Sequence, residues 1–161
     1  MQIYIMRHGE AQGFIGQNVD DSQRKLNVQG ETEVHIMADW FKKMEISPEH
    51  VFVSPYVRAQ QTCNIVTSEM DAAITSLVLI TPLDDAKPVH DFIDGWLSDQ
   101  EPDAKLQDQS LLIISHMPLV SFLVAELTQS NNAPIFATAG VAHIDYDIDK
   151  MQGTLLGLTC P

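Results

Sequence analysis

The chain opens on a short, nearly unbroken apolar run, Ile3-Tyr4-Ile5-Met6, and returns to that pattern at intervals. Val51-Phe52-Val53, Leu77-Val78-Leu79-Ile80 and Leu111-Leu112-Ile113-Ile114 are of the same kind, the last being the most strongly apolar. Short apolar runs without alternation predict strands buried on both faces. Between them, apolar residues recur at helical spacing. Val34, Met37, Ala38, Phe41 and Met44 share one face of a helix that Asn27 can cap, and Ala59, Cys63, Val66 and Met70 share another. Val89, Phe92, Ile93 and Leu97 mark a third helix; Val120, Leu123, Val124 and Leu127 mark a fourth. Residues 141–146 and 154–158 predict two final strands joined by a polar turn around Asp149–Gly153, and polar Asp99–Gln109 predicts a surface loop. Strand and helix alternate through most of the chain. That order predicts an α/β fold: one three-layer α/β/α domain over residues 1–161 with a mostly parallel central sheet. No repeat, low-complexity stretch or linker marks a second domain.

The polar residues that end these runs carry the chemistry. In a parallel sheet the strands end on one edge, and ligands bind outside their carboxyl ends. The first run ends in Arg7-His8-Gly9-Glu10, the second in Ser54-Pro55 with Arg58 a turn later, and the run at 111–114 in Ser115-His116 before Pro118. Pro55 and Pro118 place two helix starts beside those ends, because proline is tolerated in a first turn. Helix N-termini favour anions.

Charge sharpens this picture. The formal net charge is −13, which excludes nucleic acid and anionic membrane surfaces as partners. Arginine, the bidentate phosphate binder, occurs only at Arg7, Arg24 and Arg58. Arg7 adjoins His8 at a strand end, Arg58 lies a turn beyond another, and Arg24 lies on the loop after the first strand end. Together with two histidines and two helix starts on one edge, they predict a phosphate pocket with a candidate nucleophile inside.

These residues resemble the histidine phosphatase superfamily, which includes phosphoglycerate mutases and acid phosphatases. The likeness rests on Arg7-His8-Gly9, on Ser54-Pro55-x-x-Arg58-Ala59-x-Gln61-Thr62 and on Ser115-His116-x-Pro118, in that order. It is closer to the short bacterial branch, the SixA-type phosphohistidine phosphatases, through Arg24-x-Leu26-x-x-x-Gly30, Thr81-Pro82 and the helix opening at Met117-Pro118-Leu119-Val120. The resemblance implies a two-step phosphoryl transfer in which His8 attacks phosphorus and then loses the phosphoryl group to water. Arg7, Arg58 and His116 would hold phosphoryl oxygens, with Arg24, Gly9 and Ser54 as further substrate-binding residues. Phosphoryl transfer relies on such positioning and electrostatic stabilisation.

The general acid is where the pattern departs. The mutase branch supplies a carboxylate from an insertion that this chain lacks; Asp84, Asp85 and Glu10 are the nearest candidates, each in a position usual for a solvated loop carboxylate. A phosphohistidine protonated on its far nitrogen leaves as neutral imidazole, so a site without a dedicated acid suits a P–N bond. The expected partner is a phosphohistidine-bearing signalling or phosphotransfer protein. A phosphatase of small phosphate esters and a non-catalytic phosphoprotein-binding module are the alternatives.

No cofactor or metal is expected. His35, His50, His90 and His143 show no ligand spacing, and Gly9 is single rather than part of a nucleotide loop. No run approaches the roughly 20 apolar residues that span a bilayer. The first residues lack a signal-peptide pattern, and Cys63 and Cys160 make no disulfide framework. The expectation is a reduced, cytoplasmic protein.

Overall fold

The computed structural model describes residues 1–13, 20–100 and 106–161. Six strands form one sheet: β1 (Gln2–Arg7), β2 (His50–Val53), β3 (Ala73–Ser76), β4 (Ser110–Ser115), β5 (Val141–Asp147) and β6 (Gln152–Thr159). Their order is β3-β2-β4-β1-β5-β6. The first four run parallel, whereas β5 is antiparallel to β1 and β6 to β5. Four helices cover the sheet: α1 (Val28–Lys43), α2 (Val57–Val66), α3 (Ala86–Ser98) and α4 (Leu119–Leu127).

The apolar runs on β1, β2 and β4 are continuous because each strand feeds two cores. Ile3, Ile5, Phe52, Leu111 and Ile113 face α3 and α4, where Val89, Ile93, Leu97, Val120 and Leu123 pack on them. Tyr4, Met6, Val51, Val53, Leu112 and Ile114 face α1 and α2, against Val34, Met37, Phe41, Ala59 and Cys63. Each such buried aliphatic side chain contributes about 1.5–3 kcal/mol, which is what seats the helices on the sheet. Asn27 caps α1 as its position predicts, its side chain accepting from Gly30 N–H at 2.7 Å.

Several expectations are corrected. Leu77–Ile80 is not a strand. The ladder with β2 lies four residues earlier, pairing His50 with Ala73 through Val53 with Ser76, and the Leu77 N–H closes it on the Val53 carbonyl at 2.9 Å. Leu77 and Ile80 are apolar because they plug the core beneath α3, while β3 is an exposed edge strand. Periodicity does not separate a buried turn from a buried strand. Met44 and Met70 fall beyond the ends of α1 and α2, and Met44 is exposed rather than core. Pro118 stands at the N-cap of α4, and Pro55 precedes the N-cap of α2, so neither lies inside a first turn. The loop expected at 99–109 falls partly outside the described residues; a short 3-10 turn occupies Leu106–Asp108.

Candidate active site

Sheet register brings the motifs together. Met6, Ile114 and Val53 lie in one row across β1, β4 and β2, and Arg7 pairs with Ser115 in the next. The ladder runs on past the strand ends: the His8 N–H donates to the Ser115 carbonyl and the Ser54 N–H to the Ile114 carbonyl, each at 3.0 Å. His8 and His116, one residue beyond neighbouring strands, stand with ring centroids 4.9 Å apart. Arg58 enters from the first turn of α2, and a 3-10 turn at Asp21–Gln23 closes over it. The resulting cavity, about 340 Å³, is lined by Arg7, His8, Arg58 and His116 on its floor and by Glu10, Asp21 and Arg24 at its side.

His8 is held in one tautomer. Its Nδ1 lies 2.6 Å from the Gly9 carbonyl, which only accepts, so Nδ1 carries the proton. The other nitrogen, Nε2, accepts from Arg58 Nε at 3.1 Å and keeps a lone pair. Burial, followed by the charges of Arg58, Arg7 and Arg24, outweighs the Gly9 hydrogen bond and lowers the His8 pKa to about 4. The imidazole is therefore neutral at pH 7, as a nucleophile requires.

His116 is neutral for similar reasons. Burial, then His8 and Arg58, push its pKa down to about 2. Its Nε2 lies 2.7 Å from Ser54 Oγ, which also receives the Tyr56 N–H at 3.4 Å. When the hydroxyl donates to Nε2, the ring proton sits on Nδ1. That nitrogen is buried and unpartnered, as is Nε of Arg7, whose NH1 donates to the Phe136 carbonyl at 2.8 Å. Two unpartnered nitrogens on pocket-lining residues fit a site that takes acceptor oxygens.

The remaining expectations sort by contact. Ser54 is fully buried and orients His116 rather than lining the cavity. Gly9 is not among the cavity-lining residues: its N–H donates to Thr62 Oγ1 at 3.2 Å, and a Cβ there would meet the Gly30 carbonyl at 2.6 Å. Thr62 in turn donates to the Arg58 carbonyl, and Gln61 accepts from the Leu26 N–H, so these motif residues are struts. Asp84 and Asp85 do not line the cavity. Asp84 accepts both N–H and hydroxyl of Thr81 at 2.6 Å, and Asp85 is the N-cap of α3. Of the three carboxylates, Glu10 alone lines it.

Asp21 is the residue that sequence reasoning missed. Its carboxylate bonds Arg24 at 2.7 Å and Arg58 at 2.9 Å, and its carbonyl accepts from Arg58 NH1 at 2.6 Å. Burial raises its pKa, but the two arginines outweigh this and hold it below the ordinary aspartate range. The signal was an Asp-x-x-Arg spacing, hidden in a chain where acidic residues abound. Among the described residues no group of His, Cys, Asp and Glu is placed to hold a metal ion.

The model of the histidine phosphatase superfamily (branch 1) matches residues 3–79. The phosphohistidine phosphatase SixA of Escherichia coli strain K12 is 35% identical over 149 residues, covering 91% of this chain and 86% of that protein. The chain belongs to the histidine phosphatase superfamily. A SixA homolog of Haemophilus influenzae is 34% identical to this histidine phosphatase over 161 residues, covering 94% of this chain and 92% of the relative. The solved structure of the protein histidine phosphatase SixA complexed with tungstate superposes with a TM-score of 0.86 at 33% identity, covering all of this chain and 97% of that one. The superfamily fold expected from the motifs is therefore the one observed, with a mixed, mostly parallel sheet.

Proposed function

We propose that this phosphohistidine phosphatase removes phosphate from a histidine on a phosphotransfer protein, through a phosphoryl intermediate on His8. The observation that carries the reading is the state of His8: neutral, with its proton on Nδ1 facing the Gly9 carbonyl and its Nε2 lone pair in the cavity wall beside Arg58. In the first step Nε2 exchanges its bond to Arg58 for one to phosphorus. The P–N bond to the substrate imidazole breaks, and that ring, already protonated on its far nitrogen, leaves neutral. In the second step water attacks the phosphoryl group, inorganic phosphate departs and Nε2 regains its lone pair. Arg7, Arg58 and His116 supply donors to the equatorial oxygens, where charge builds in the transition state.

A P–N substrate also accounts for the carboxylates. Asp21 is held ionised by two arginines and is a poor proton donor, and Glu10 lies exposed at the cavity side. An alkoxide leaving group would need a proton that this arrangement does not readily provide. The SixA relative bound to tungstate, a tetrahedral oxyanion, supports the pocket as an anion site. Among the described residues no helix is long and apolar enough to cross a membrane. With Cys63 and Cys160 both unpaired, a reducing cytoplasm is the compartment we propose.

Brief exposure to a phosphorylated phosphotransfer domain, followed by quenching and mapping, should place acid-labile, base-stable phosphate on His8. His8→Ala should fold normally and carry none. Label on another residue, or turnover by His8→Ala, sinks the mechanism. A kcat/KM higher for phosphoglycerate or phosphoserine peptides than for the phosphotransfer domain would reject the substrate class.

A further inference from the structure

The cavity of this anion site already contains an anion. All three guanidinium nitrogens of Arg58 are engaged: Nε on His8, NH1 on the Asp21 carbonyl and NH2 on the Asp21 carboxylate. Arg24 meets the other carboxylate oxygen through Nε and NH2, each at 2.7 Å, and its NH1 reaches the Gln12 carbonyl at 2.8 Å. Asp21 thus joins two of the chain's three arginines, and the Arg58 side chain that it holds is only 3% exposed. A buried guanidinium needs a charged partner, which explains why the turn carries one. Its place beside the reacting histidine has a further effect on any ligand.

Resting on the phosphatase reading above, we propose that Asp21 is a specificity-determining residue. Its carboxylate positions Arg58 against His8 and, as a resident counter-anion, weakens the hold of the pocket on free phosphate dianions. An entering phosphoryl group meets two arginines, Arg24 and Arg58, that are already paired to a carboxylate, and its own negative charge faces that carboxylate. Inorganic phosphate and small phosphate monoesters have only their phosphoryl oxygens with which to offset that repulsion. A protein-borne phosphohistidine adds contacts remote from phosphorus, and these supply the binding energy that the pocket withholds. The same repulsion speeds departure of the product. Selectivity for macromolecular substrates is then built into the pocket electrostatics and requires no lid.

Asp21→Asn tests this, because the amide oxygen still accepts from Arg58 while the charge is gone. Binding of inorganic phosphate to the full chain, read by calorimetry at low salt, should tighten about tenfold or more. The kcat/KM for p-nitrophenyl phosphate should rise relative to that for the phosphotransfer domain. A residue that merely braces Arg58 would give the opposite result, with weaker phosphate binding and both activities reduced together. Unchanged or weakened phosphate binding overturns the proposal, and should the Asn variant fail to fold, Asp21→Ser is read by the same criterion. Wild-type protein that binds phosphate and forms phospho-His8 leaves the parent mechanism standing whichever way the variant falls. If neither protein binds phosphate, the anion pocket itself is refuted and this proposal with it.

Discussion

Acidification should cost this fold stability through His8 before neutral His8 is lost as a nucleophile. Burial and the neighbouring arginines take its pKa from 6.5 to about 4 in the folded chain, whereas the unfolded imidazole titrates near its ordinary value. Between those two values the unfolded chain binds a proton that the folded chain refuses, so unfolding gains ground as pH falls. The loss begins as pH drops through about 6.5, accumulates to about pH 4 and stops there for this residue. A gap of about 2.5 pH units at about 1.36 kcal/mol each amounts to about 3 kcal/mol. With His8 only 8% exposed, solvent screening removes little of it. Urea unfolding of wild type and His8→Gln across this range reads the effect, because glutamine is polar but does not titrate. His116, lowered to about 2 chiefly by burial and secondarily by His8, adds a loss of the same sign to both proteins, so the difference between pH 6.5 and 4 reads mainly His8. The extra wild-type slope should approach about 1.4 kcal/mol per pH unit near pH 5. Equal slopes would refute the reasoning. Turnover should follow the folded-state value, with the acid limb of kcat/KM near pH 4 and not near 6.5.

Arg58→Lys keeps the charge but not the fork that serves His8 and Asp21 at once; kcat/KM should fall by about 2–4 kcal/mol of transition-state stabilisation, and a value within about threefold of wild type would place Arg58 outside the chemistry. Ser54→Ala leaves the buried Nε2 of His116 without a partner, at a stability cost of about 1–3 kcal/mol. It should lower kcat more than it raises KM in steady-state kinetics; an unchanged kcat contradicts its positioning role. Gly30→Ala would improve helix propensity in α1 by about 1 kcal/mol, yet its Cβ would sit 2.0 Å from the Glu10 carbonyl oxygen. Net destabilisation, read as a lower urea midpoint, is expected, and a higher midpoint would contradict the close approach of these two backbones.

What was legible in the sequence was whatever burial on two faces imposes. The interior positions of β1, β2 and β4 are all apolar because helices cover both sides, and the same strands end at the residues that gather in the cavity. The run Leu77–Ile80 misled for a related reason, since the core selects apolar residues for a plug as readily as for a strand. Contacts that use backbone atoms left no trace. The carbonyls of Gly9 and Phe136, which orient His8 and Arg7, could belong to any residue. Ser54 was expected at the ligand and stands against the His116 ring, because a hydroxyl at a strand end can meet either a ligand or a neighbouring ring. Asp21 was lost among 22 acidic residues, where only three-dimensional proximity to Arg58 distinguishes it.

The two histidine rings stand 4.9 Å apart, and neighbouring parallel strands lie about 4.8 Å apart. The gauge of the reaction centre therefore matches the spacing of the sheet, which the backbone ladder between β1 and β4 fixes. Most of the chain intervenes between β1 and β4, so the connections can lengthen, shorten or exchange their composition without changing that gauge. Loop growth costs only logarithmically in length. The mouth of such a pocket is free to be remodelled for new clients, while the distance across which phosphorus is handled stays calibrated by the sheet itself.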